Sequence, residues 1–263
     1  MRAYLSVFRM RLKMELQYRG AMIGGIICQM FFGIVLVALY RALYASKVQS
    51  MPIEQVTTYV WLQQAFFRMM IATDPDLNDK IKNGSISYDL CRPVNMYAFY
   101  YIRVAAQKLM GSLMRGIPMM IVAFLLPKGW GISLPSSGTG LFFGMIALFL
   151  GLLCMCALEN ITMAFTMRTL DPKGMQSLLN LLMITLSGNL LPLTLFPDSW
   201  QKVITMLPYA QLLDAPIRLY SGEYLVSDAP KILLIQAGWA VVLIILGLGL
   251  WEKNRKKMII QGG

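Results

Sequence analysis

Four stretches of this sequence carry no charged residue: Ala21–Tyr40 (20 residues), Gly129–Leu158 (30), Gly174–Pro197 (24) and Ile232–Trp251 (20). A helix that crosses the ~30 Å hydrocarbon core of a bilayer needs about 20 mostly apolar residues. Two further stretches qualify less cleanly. Gln55–Thr73 carries only Arg68, and Val104–Leu126 carries Lys108 and Arg115. Six spans are expected, at about 21–41, 55–73, 104–126, 139–167, 174–196 and 232–251. An even number of crossings keeps both termini on one side. The two weaker stretches have buried or interfacial helices as their alternative. The first run reads as a span and not as a cleavable signal, because it is long and lacks a small-residue cleavage site. Nothing in residues 1–263 resembles a second, soluble domain. The expected class is an all-α integral membrane protein forming one transmembrane domain. With 57% hydrophobic and 14% charged residues, a soluble globule and a disordered chain are both excluded.

The net charge of +11 allows nucleic acid or membrane as a partner. The distribution decides. Fifteen Lys and Arg fall on the side of the two termini and six on the other. By the positive-inside rule, both termini are expected in the cytoplasm. The excess charge then lies beside an anionic membrane face, and nucleic acid is not needed to explain it.

There is no histidine. That removes Ser-His and Cys-His nucleophiles, His-ligated zinc and a histidine pH switch. Cys28, Cys154 and Cys156 fall in expected spans and Cys91 in a cytoplasmic loop, so they read as packing residues and not as a disulfide or metal site. No G-x-x-x-x-G-K-[ST] loop is present, so the chain itself binds no ATP through that motif. No cofactor is expected on this chain.

Three segments are not simple spans. Residues 1–20 read as a basic interfacial helix: Arg2, Ser6, Arg9, Lys13 and Gln17 form one stripe, Tyr4, Phe8, Leu12 and Leu16 a second, and Arg11, Glu15 and Arg19 a third. The loop 74–95 reads as a folded knob. Asp74 and Asp76 suit a helix start, and Leu77 and Ile81 share a face. Gly84 suits a left-handed stop, Ser85 or Ser87 a second start, Pro93 a second stop, and Asn95 the cap of the next helix. Asn189–Glu223, at the far side, is broken by Pro192, Pro197, Pro208 and Pro216. Short re-entrant or interfacial helices over 197–230 fit it, one of them at Ser199–Leu207 capped by Asp198 or Ser199.

Intramembrane charge is costly. Arg68 and Lys108 lie near span ends, where long side chains can snorkel to the interface. Glu159, with Asn160 beside it, lies deeper. A structural pair between Glu159 and Arg115 or Arg68 is expected; substrate contact is the alternative.

Taken together, NGSISYDLCRPVN (Asn83–Asn95) and LLPLTLFPDSWQKVITMLPYAQLLDAPIRLYSGE (Leu190–Glu223) resemble the permease subunits of ABC-2-type transporters. Gly84, Ile86, Leu90, Arg92, Pro93 and Asn95 match that family's loop pattern. Pro192, Phe196, Pro197, Leu207, Pro208 and Pro216 match its outer pattern. The resemblance covers nearly the whole chain. It implies a multi-pass permease of a bacterial cytoplasmic membrane, half of a dimer with an identical or homologous second permease. It implies two separate ABC ATPase subunits that hold ATP and Mg. Their contact is expected at Leu77, Lys80, Ile81, Gly84, Tyr88, Asp89, Leu90, Arg92 and Pro93. Outer re-entrant helices would close the pathway, with Pro192, Phe196, Pro197, Trp200 and Pro208 as gate residues. Cargo would be a drug, peptide, lipid or lipid-linked molecule. A passive channel, a structural membrane protein and an intramembrane enzyme are the competing classes. No ion filter is visible, and no span contains an aspartate for a paired-aspartate site.

Overall fold

A computed structural model describes residues 2–17, 19–46, 51–70, 79–80, 83–169, 173–189 and 192–256. Among these, all regular structure is helical: α1 (Arg2–Gln17), α2 (Arg19–Ser46), α3 (Ile53–Met70), α4 (Ile86–Leu90), α5 (Met96–Leu125), α6 (Gly138–Thr169), α7 (Lys173–Leu186), α8 (Asp198–Ile204), α9 (Asp214–Ser221) and α10 (Ala229–Arg255). Short 3₁₀ turns lie at Leu193–Leu195 and Val226–Asp228.

Among the described residues, four helices are long and apolar enough to cross a membrane: α2, α5, α6, and α10 with the turn before it. Their outer faces are apolar and exposed, as at Ile27 and Phe31 on α2 and Phe142 and Phe149 on α6. A lipid-facing surface needs no polar groups. Two of the expected spans stand apart. Helix α7 has 14 residues and so measures about 21 Å, short of a bilayer core. Helix α3 has 18 residues, of which twelve are buried, including Thr57, Thr58, Gln63 and Gln64. It is the interior helix. Thr57 and Thr58 donate to the carbonyls of Ile53 and Glu54, and the Gln63 amide donates to the Gly188 carbonyl. Thr58 Oγ1 also accepts from the Ser133 amide at 2.9 Å. These polar residues lower the hydropathy of α3 and mark it as protein-facing.

Cross-helix hydrogen bonds define two ends. Tyr4 and Asn95 meet at one, which we term the terminal end, where α1 and the tail of α10 also lie. At the distal end, Arg41 donates to the Gly129 carbonyl (2.7 Å) and the Trp61 indole to the Trp130 carbonyl (2.7 Å). Helices α6 and α10 run parallel. Gln236 bonds to Ala147, Trp251 to Asn160 and Asn254 to Ala164, an offset that stays near 90 residues along the whole contact.

The short helix α9 lies against α6 where α6 is notched by glycine. A Cβ at Gly140 would fall 2.9 Å from the Leu219 carbonyl oxygen and one at Gly144 3.3 Å from that of Pro216. Small residues four apart allow this backbone-to-backbone approach. Pro216, expected to break a helix, sits in the first turn of α9 instead, where its missing N–H costs nothing.

Other boundaries moved. Helix α5 begins at Met96, well before the expected 104, because Tyr97, Phe99 and Tyr100 pack inward as soon as Asn95 caps it. Arg103, just outside the expected span, is thus buried in the helix, its guanidinium 6.0 Å from the Tyr100 ring centre. Helix α8 spans Asp198–Ile204 with Pro197 at its cap position, so neither Asp198 nor Ser199 caps it. Helix α1 forms as expected, but its inward face carries Tyr4, Val7 and the buried Arg11, while Leu16 stays exposed.

Because the partner atom at Gly144 is rigid backbone, Gly144→Leu will separate α9 from α6. The expected loss is about 1–3 kcal/mol, as for other overpacked sites, read as a lower melting temperature of the detergent-purified protein.

Candidate functional site

The knob at the terminal end is built on turn chemistry. Gly84 adopts a left-handed φ of 75°. The Asn83 side-chain oxygen accepts from the Ser85 amide (3.0 Å) and hydroxyl (2.6 Å), which turns the chain into α4. Ser85 holds the cap position of α4 but makes no side-chain cap bond. The Asn95 oxygen accepts from the Ala98 amide at 2.9 Å and caps α5, as the sequence predicts.

One carboxylate fastens the knob to the membrane helices. Asp89 is 2% exposed. Its Oδ2 accepts from Lys80 Nζ (2.8 Å) and the Tyr100 hydroxyl (2.8 Å), and its Oδ1 lies 3.4 Å from Arg92. Burial pushes this carboxyl up. Hydrogen bonds from Lys80 and Tyr100, and the charges of Lys80 and Arg92, pull it down further, so its pKa lies below the ordinary 3.8. Ile86 is buried beneath α4, and Leu90 packs on the core. Tyr88, Arg92 and Pro93 face outward, Tyr88 with 77% of its surface exposed. Gly84 is half-buried at the knob's edge. The expected ATPase-contact residues therefore divide into a presented set (Tyr88, Arg92, Pro93) and an inward set (Lys80, Asp89, Leu90). Leu77 and Ile81 lie outside the described residues, as do Asp74 and Asp76.

Inside the bundle, Lys108 Nζ lies 2.7 Å from Glu159 Oε2, with both side chains nearly inaccessible. Lys108 also donates to the Met69 carbonyl at 3.1 Å, so one ammonium joins α3, α5 and α6. The sequence places Lys108 near a span end with a path to the interface. It does not snorkel, because α5 starts eight residues earlier and buries it. The structural partner expected for Glu159 exists, but it is Lys108 and not Arg115 or Arg68. Once α5 begins at Met96, Lys108 is the cation nearest the middle of the helix, a position the expected span 104–126 gives to Arg115. Asn160 donates to the Cys156 carbonyl (2.9 Å), and its own carbonyl accepts from the Trp251 indole (2.9 Å). Arg68 and Arg115 stay together near the terminal end, lining a cavity with Glu15. Among the described residues, no cluster of His, Cys, Asp and Glu is placed to hold a metal.

At the distal end, Pro192 caps the turn Leu193–Leu195 and Pro197 precedes α8. Gln201 ties them together, donating to the Thr194 (3.0 Å) and Phe196 (2.7 Å) carbonyls. Pro192 and Pro208 are buried, Phe196 is half-buried, and Pro197 and Trp200 are exposed. Below them lies a polar cluster that sequence reasoning missed. The Tyr59 hydroxyl donates to Asp214 Oδ1 at 2.6 Å, and Arg218 bridges Asp214 (3.5 Å) and Glu223 (2.9 Å). Burial raises the Asp214 and Glu223 carboxyls against the lowering charge of Arg218. This cluster anchors the broken outer segment to α3, the interior helix.

Two outcomes follow from these geometries. Lys108→Met or Glu159→Gln leaves one buried charge or dipole without its partner, and each is expected to cost about 3–5 kcal/mol. The double variant should lose less than either single one, measured by thermal melting. For Asp89, the folded pKa lies below 3.8, so its contribution is complete above that value. It disappears as the pH falls through the folded pKa. A fluorophore on the exposed Cys91 should report loosening of the knob only in that acid range, and an Asp89→Asn variant should be loose at neutral pH already.

No curated protein matches the sequence. A family model described as "ABC-2 family transporter protein" matches residues 25–262, nearly the full chain. With its long apolar helices and the knob between the second and third of its expected spans, this chain belongs to the ABC-2 transporter family, the membrane components of ABC transporters.

Proposed function

We propose that this chain is the permease subunit of an ATP-driven exporter, moved by separate ATPase subunits that seat on the knob. The observation that carries the reading is the construction of that knob. It presents Tyr88, Arg92 and Pro93 outward and is braced from behind by Asp89 on Tyr100 of α5. A push on α4 therefore reaches a membrane helix through a charge-assisted hydrogen bond and not through a slack loop. ATP and Mg belong to the partner.

Six crossings fit this reading. Helices α6 and α10 run parallel, so the chain between them must return to the distal end. Helix α7 with the broken segment after it makes that return. The terminal end, richer in Lys and Arg, is the cytoplasmic one, and both termini lie there. One chain of this size encloses no pathway of its own, so a second permease, identical or homologous, completes it. The segment from Pro192 to Pro208, held by Gln201 and the Tyr59–Asp214 bond, closes the outer side. The apolar, methionine-rich spans suit an amphipathic or lipid-like cargo.

The test is capture of the cognate ATPase by the full-length chain in detergent. Tyr88→Asp should weaken capture at least about tenfold, or about 1.4 kcal/mol, with the melting temperature unchanged; Arg92→Glu should weaken capture as much but with a lower melting temperature, because Arg92 also faces the buried Asp89. Wild-type capture by both variants would refute the knob as the docking site.

A further inference from the structure

We propose that Asp214 and Glu223, at the distal end, hold one exchangeable proton, and that this proton keeps the outer segment closed. The inference rests on the reading of Pro192 to Pro208 as the outer closure. Two carboxylates there share one guanidinium. Arg218 Nη1 lies 3.5 Å from Asp214 Oδ2, and Nη2 lies 2.9 Å from Glu223 Oε1. The ring of Tyr224 covers the guanidinium, its centre 4.1 Å from Cζ. All three charged side chains are withdrawn from solvent: 1% of Asp214, 10% of Arg218 and 19% of Glu223 is exposed. With both acids ionised the cluster carries one negative charge in excess. Burial disfavours that excess, and one proton removes it.

The geometry seats the proton on Glu223. Asp214 is well served as an anion, since its Oδ1 accepts from the Tyr59 hydroxyl at 2.6 Å and the Leu193 amide also donates to it. Among the described residues Glu223 has Arg218 alone, and its Oε2 is buried without a hydrogen bond. A carboxylate with fewer donors loses less on becoming neutral. Glu223 also lines a cavity of about 540 Å³ with Gln55, Asp198 and Gln201, and through it a proton reaches the cluster. The remaining groups within electrostatic reach of Glu223 are Tyr44 of α2, Tyr59 of α3 and Tyr224. Helix α6 adds no charge on this side, because Gly129–Leu158 is uncharged.

The same cavity is the seam of the closure. Met51 and Gln55, at the start of α3, form one wall, and Thr194 to Asp198 of the outer segment form another. Burial pushes the Asp214 and Glu223 carboxyls above their ordinary 3.8 and 4.5, against the pull of Arg218. A carboxyl with a higher pKa in the closed arrangement than in a solvated one stabilises closure at low pH. That contribution is lost as the pH rises through the raised value. Acid therefore tightens the seam, and ionisation of Glu223 favours a parted, hydrated one.

The experiment is hydrogen exchange of the purified full-length chain in mild detergent, followed by mass spectrometry of peptides covering 192–223. After correction for intrinsic rates, exchange there should be at least about threefold faster at about pH 7.5 than at about pH 5, with peptides of α6 unchanged. Glu223→Gln keeps an oxygen for Arg218 without the charge, and should hold its low-pH protection at both values. A merely structural glutamate would instead give a variant that is looser at both. Asp198→Asn, on the same cavity but exposed, should keep the wild-type dependence. Wild-type protection that is flat or rises with pH overturns the proposal, whether or not the variants fold. So does a Glu223→Gln protein that keeps the wild-type dependence. The side is read separately: a membrane-impermeant thiol reagent should label Trp200→Cys, beyond the wild-type background, from outside right-side-out vesicles. Labelling from the inside alone would overturn the outer-closure reading, as distinct from the proton dependence.

Discussion

The contact on which the membrane part of this protein depends is the buried ammonium of Lys108, shared between Glu159 and the Met69 carbonyl. A charge in an apolar interior is tolerable only where its partner is fixed. A slip of α5 against α6 by one turn would leave two charges among methionines and alanines. The pair therefore sets the axial register of three helices that apolar packing alone would leave free to slide. It also locates the end of α3 along α5, which in turn places Arg68 opposite Gly111 and the knob beneath Tyr100.

From this centre the two ends are organised by the same device at different depths. At the terminal end, Asp89 collects Lys80, Tyr100 and Arg92 and turns a loop into a braced projection. At the distal end, Asp214 collects Tyr59 and Arg218 and pins a broken segment to the interior helix. Each carboxylate lies on a short helix and takes its hydroxyl partner from a long one. A coupling element and a closing element are thus both tied to the bundle by single tyrosine hydroxyls. That gives each of them a directional polar tie to the membrane helices beside its apolar packing.

How much of this was readable beforehand varies with the physics involved. Local signals held: Gly84 has a positive φ, α4 begins after Ser85, and Asn95 caps α5. These features need only neighbours within four residues. The helix α3 was harder to place, since Thr57, Thr58, Gln63 and Gln64 weaken its apolar signal while serving partners far away in sequence. Asp89 read as a docking residue because an exposed loop is the usual place for an aspartate. Only folding brought Tyr100 and Lys80 to it. The Asp214–Arg218–Glu223 cluster gave no signal, because its hydroxyl partner Tyr59 lies 155 residues away.

The sequence by itself determined the class of the protein. Uncharged runs of bilayer length, an uneven distribution of lysine and arginine, the two proline-punctuated loops and the absence of histidine are all one-dimensional facts. Transfer free energies and turn geometry act on them residue by residue. Tertiary structure decided which charges are paired and which way each face points. It matched Glu159 to Lys108, turned Asp89 inward and Tyr88 outward, and seated Arg68 and Arg115 over glycines of neighbouring helices. Those outcomes depend on helix rotation and axial offset, which are set by packing between segments and are not written in any one of them.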